Sequence, residues 1–100
     1  MEIIWTEKAK EDLKNTYAFL ITEIAEHKAF EIIVNITYRV DILSEMPFVG
    51  QKEPKFERLK KEYRRLIESP YKIIYHVGAG SVFINRVFDS RQNPKKLTIR

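Results

Sequence analysis

The feature that most constrains this chain is a change of hydrophobic period near its midpoint. Before residue 46 the apolar side chains recur every three or four positions; after residue 62 they come in short runs rich in β-branched and aromatic residues. One half therefore reads as helix and the other as sheet. With 100 residues, 44% of them hydrophobic, there is apolar material for one compact core and too little chain for two, so a single domain over residues 1–100 is expected.

Glu2-Ile3-Ile4-Trp5 is a short β-prone run that hands over to a helix at Thr6, whose hydroxyl suits an N-cap, with Glu7 placed well at the positive end of the helix dipole. Ala9, Leu13, Tyr17, Leu20, Ile21 and Ile24 then share one helical face. The cluster Glu26-His27-Lys28 interrupts that stripe, and a second follows at Ala29, Ile32, Ile33, Ile36, Val40 and Leu43, ended by Pro47. Two stripes across a short polar break predict an antiparallel helical hairpin. Residues 46–61 carry Pro47, Gly50 and Pro54 without a sustained period and read as an irregular connection, with one helical turn around Glu57 to Lys61. Three β runs follow, Tyr63 to Glu68, Tyr71 to Val77 and Ser81 to Phe88, separated by Ser69-Pro70 and Gly78-Ala79-Gly80. These turn signals predict a three-stranded antiparallel meander. The expected fold is α+β: an N-terminal strand joins the meander in a four-stranded sheet, and the hairpin packs on one face. Arg64, Lys72 and Arg86 are expected to line the other face, and the tail from Asp89 to Arg100 to be exposed unless its two apolar residues, Leu97 and Ile99, dock it.

Charge separates along the chain. Residues 1–50 hold 5 Lys and Arg against 9 Asp and Glu, whereas residues 51–100 hold 13 against 5. A basic half concentrates positive potential and favours an anionic partner, nucleic acid or acidic polypeptide. No run approaches the ~20 apolar residues of a membrane span, and the opening lacks a basic, apolar leader, so a cytoplasmic protein without membrane association is expected. With no cysteine and two distant histidines, His27 and His76, neither a metal nor a cofactor site is expected. Glycine-rich phosphate loops and serine nucleophile elbows are also missing from the sequence.

The segment Tyr63-Arg64-Arg65-Leu66-Ile67-Glu68-Ser69-Pro70-Tyr71-Lys72-Ile73-Ile74-Tyr75 resembles the "YRELxxxPYRIIY" hairpin of the RelE/ParE superfamily of type II toxin-antitoxin toxins. The ending Ile84 to Pro94, the opening Trp5-Thr6 with Ala9 and Asp12-Leu13, and the turn Pro47-Phe48-Val49-Gly50 are similar to the same family, and together they span nearly the whole chain. The resemblance implies a growth-inhibiting protein of the plasmid-stabilisation kind, held inactive by a small acidic antitoxin. It also divides two ways. ParE-like members poison DNA gyrase, and the hairpin and ending look more like this branch; Arg64, Arg86, Arg91, Lys95 and Lys96 are then the partner-binding candidates. RelE-like members are metal-independent endoribonucleases that cut mRNA on the ribosome, for which the resemblance makes Arg65, Lys72 and Arg91 the catalytic candidates. No histidine or tyrosine follows His76, so the tail offers only Lys95 and Lys96 where that branch often has an acid or base. A lysine near its ordinary pKa of ~10.4 is a poor base at neutral pH. Any apolar groove left on the hairpin would be an antitoxin site or a homodimer contact.

Overall fold

The computed structural model describes residues 1–99; Arg100, the end of the expected tail, lies outside them. The order is β1 (Glu2–Trp5), α1 (Glu7–Glu23), α2 (Glu26–Asp41), β2 (Gln51–Lys52), β3 (Arg64–Glu68), β4 (Tyr71–Gly78) and β5 (Ser81–Asp89). The sheet runs β1-β5-β4-β3-β2, so it has five strands where four were expected. The extra strand is two residues long and pairs Gln51 with Arg65 and Lys52 with Arg64. Such a stub is too short to carry a period. β1 lies parallel to β5, with Trp5 opposite Ile84, while β3, β4 and β5 form the antiparallel meander.

Local chemistry explains the boundaries. The Thr6 side chain accepts from the Ala9 amide at 3.2 Å and donates to the Ile84 carbonyl at 2.7 Å, so one residue caps α1 and ties it to β5. The break between the helices falls at Ile24-Ala25, and Glu26-His27-Lys28 form the first turn of α2 instead of the expected connection. Acidic Glu26 is favourable at that dipole end, which lets the helix start earlier than the apolar stripe. Glu57 to Lys61 are likewise not helical; the connection instead has a 3₁₀ turn at Pro54–Phe56, where Pro54 presets the first turn. Ala79 and Gly80 both take positive φ, 51° and 75°, at the two central positions of the tight β4–β5 turn.

Two clusters flank the sheet. The larger joins Ile36, Val40 and Leu43 of the helical segment to Ile73, Tyr75, Val82 and Ile84 of the sheet, all without solvent exposure. The second, on the opposite face, gathers Phe56, Tyr63, Ile74, Phe88 and Leu97. The sheet face away from the helices is therefore partly roofed by the 3₁₀ turn and the tail, where the sequence suggested an open surface. Leu97 is the apolar anchor that docks the tail; it is 2% exposed.

Candidate functional site

A strand period of two sends adjacent arginines of β3 to opposite faces, and their fates differ. Arg64 pairs across the sheet with Tyr75, which belongs to the helix-side cluster, so it does not line the opposite face as expected. Its guanidinium donates to the carbonyls of Phe48 (3.2 Å) and Gly50 (2.7 Å) and sits 5.3 Å from the Phe48 ring centroid. It pins the turn before β2. Gly50 itself can be nothing larger: a Cβ there would meet the Tyr75 hydroxyl at 2.5 Å and the Arg65 carbonyl at 2.6 Å. The Gly50 amide donates to that hydroxyl at 2.9 Å, and burial raises the pKa of Tyr75 above the ordinary phenol value.

Arg65 and Lys72 lie on the face away from the helices and converge on one carboxylate. Arg65 Nη1 is 2.6 Å from Glu53 Oε2, and Lys72 Nζ is 3.2 Å from Glu53 Oε1. Glu53 is only 3% exposed, while the two cations keep about a quarter of their side chains in solvent. A buried carboxylate is tolerated because both of its oxygens are satisfied by charged donors. Beside it runs an aromatic row: Phe56 meets Tyr63 edge-on at 5.7 Å, Tyr63 meets His76 at 5.4 Å, and His76 stacks on Phe83 at 5.0 Å. His76 Nδ1 is 2.8 Å from the Asn85 side-chain oxygen, so this histidine is a packed, partnered residue. Burial also pushes the Tyr63 hydroxyl up.

Arg86 is taken into the interior. A register shift between Ile74 and Tyr75 places an extra residue in β5, and the Arg86 guanidinium bonds Asp12 of α1 at 2.8 and 3.2 Å and the Thr98 carbonyl at 2.8 Å. Asp12 also accepts from the Val87 amide at 2.9 Å. This buried pair stitches α1, β5 and the tail together, and Arg86, 8% exposed, presents little surface to a partner. Arg91 pairs with Asp89 through Nη2 at 2.7 Å, and that hydrogen bond holds the Asp89 carboxyl below the ordinary range. Lys95 and Lys96 are exposed in the 3₁₀ turn Pro94–Lys96. Of the seven nominated positions, then, the structure brings Arg65 and Lys72 together and leaves Arg64, Arg86, Arg91 and the two lysines in separate places. Glu53 and Asp12 were missed. Nothing in the irregular connection distinguishes Glu53, but a lone carboxylate three residues after Ala9 on the buried stripe of α1 was a readable signal for Asp12.

On the far side of the molecule, α2 shows solvent an apolar stripe. Phe30, Val34, Tyr38 and, just past the helix, Ile42 recur every four residues with exposures of 60%, 41%, 79% and 38%. Met46, Phe48 and Val49, beyond the helix, are exposed as well.

The family model described as the ParE toxin of the type II toxin-antitoxin system parDE matches residues 3–94. This chain belongs to that family. A solved structure titled as the chromosomal ParDE toxin-antitoxin system from P. aeruginosa contains a chain 25% identical to it, with a TM-score of 0.76 over 89% of this chain and 95% of that one. Comparison with curated proteins returns no match. The family model and the solved structure thus both point to the ParE branch of the superfamily, and among the described residues no helix is long and apolar enough to cross a membrane.

Proposed function

We propose that this ParE-family chain is a cytoplasmic toxin that acts by docking on DNA gyrase and trapping it on cleaved DNA, and that a cognate acidic antitoxin neutralises it. The observation that carries the reading is the state of its cations. Stabilising a phosphoryl-transfer transition state needs guanidinium or ammonium groups preorganised and free to face the developing charge. Arg65 and Lys72 instead share the buried Glu53, Arg86 is held by Asp12, and Arg91 by Asp89. A phosphate would have to displace an internal carboxylate at each. Binding, not bond cleavage, fits such a surface.

The α2 stripe supports the antitoxin. Large side chains exposed at helical spacing lower their free energy by being covered, and an amphipathic segment laid along them does so. Purified chain added to gyrase and supercoiled plasmid should accumulate linear DNA after protein denaturation, and a stoichiometric antitoxin should abolish it. Intact plasmid together with fragmented messages in a translation extract would instead favour the ribonuclease alternative through Arg65 and Lys72.

A further inference from the structure

Between the 3₁₀ turn Pro54–Phe56 and the tail lies an open groove of about 540 Å³ that none of the interactions above uses. Phe56 and Leu97 are buried beneath it, and Leu59, 47% exposed, and half-buried Ile99 form its apolar walls. Lys55, Arg58 and Lys95 stand at its rim, all exposed. Lys55 latches the two banks by donating to the Pro94 carbonyl at 2.8 Å, and neither Arg58 nor Lys95 has an ion-pair partner among the described residues. Glu57 is the one acidic side chain lining it.

We propose that this groove docks an acidic, apolar segment of a partner protein, on the opposite side of the sheet from the α2 stripe. Charge decides the sign of the partner: α2 begins with Glu26 and lies in the acidic half, whereas the groove lies where cations outnumber acids. The apolar walls decide its class. A nucleic-acid backbone would pair the cations and leave Leu59 and Ile99 in water, while a peptide alternating acidic and apolar side chains covers both. Arg86 and Leu97 fix the tail side of the groove, so the site is largely preformed and ordering costs are low.

The test uses the full chain and a labelled synthetic peptide of about ten residues, alternating Leu with Glu, long enough in extended form to cross the 29 Å width of the molecule. Fluorescence anisotropy should report binding that weakens as salt rises. The double variant Arg58→Glu, Lys95→Glu should weaken it by about tenfold or more, and Leu59→Ser should weaken it severalfold. Lys14→Gln on α1, outside both the groove and the α2 stripe, should leave it unchanged, and thermal melts should confirm that every variant is folded. Failure of the peptide to bind, or binding indifferent to the groove substitutions, would overturn the proposal. So would tighter binding of a single-stranded oligonucleotide of equal charge that ignores Leu59→Ser. Because the readout is peptide binding, it stands or falls separately from the gyrase assay.

Discussion

The two faces of the same sheet are closed by different means. Against one lie two long helices, and the side chains between them and the strands, from Ile36 to Ile84, exclude water completely. Against the other lie one 3₁₀ turn and a tail, anchored by Phe56 and Leu97. Two carboxylates are also buried, Asp12 between α1 and β5 and Glu53 between the irregular connection and the meander. The difference teaches where stability and surface variety reside. Long elements bury area cooperatively and hold the fold, while short segments tied by a few contacts open first and can change without loss of the domain.

Removing the Asp12 carboxylate should have the largest effect. Asp12→Ala leaves Arg86 buried without its partner, at a cost of about 3–5 kcal/mol, read from urea denaturation. Ile36→Ala, in the helix-side cluster, should cost about 2–5 kcal/mol, and at about 4–8 °C per kcal/mol the melting temperature should fall visibly. Leu97→Ala empties a comparable side chain from the other face, yet the tail can collapse or detach, so a loss near the lower end, about 2 kcal/mol, is expected. Hydrogen exchange should then show deprotection confined to the tail and the β5 end. Equal global losses at Ile36 and Leu97 would break the distinction between the faces.

Glu53→Gln keeps the shape and removes the charge, for about 1 kcal/mol; the freed Arg65 and Lys72 should raise affinity for a polyanion such as heparin. The smallest effect belongs to Asp89. Its folded pKa is depressed by Arg91, so its contribution is present above the ordinary carboxylate value of about 3.9 and is lost as pH falls through the lowered folded value. Stability measured against pH should therefore lose part of its acid slope below about pH 4 in Asp89→Asn. An unchanged slope would remove the pair from the account.

The pattern of what was readable follows the length of each element. Thr6, the two stripes and the three β runs are long or chemically distinctive, and they emerge in place to within a residue or two. The start of α2 slipped because helix propagation depends on Glu26 to Lys28 as much as on the stripe, and β2 was missed because two residues carry no period. Site residues were harder. Arg64, Arg65 and Arg86 look alike in sequence, but strand alternation separates the first two and the shifted register of β5 aims the third at α1.

Periodicity, capping and turn chemistry act over a few neighbours along the chain, so the order of the longer elements, the α+β class and the separation of acidic from basic halves were already written in the residues. Pairing between distant groups is not local. That Glu53 would claim Arg65 and Lys72, that Asp12 would draw Arg86 inward, and that Phe56, Leu59, Leu97 and Ile99 would meet in a groove depended on bringing together residues that lie, for the ion pairs, from 12 to 74 positions apart, where desolvation makes each charge seek the partner the packed fold supplies.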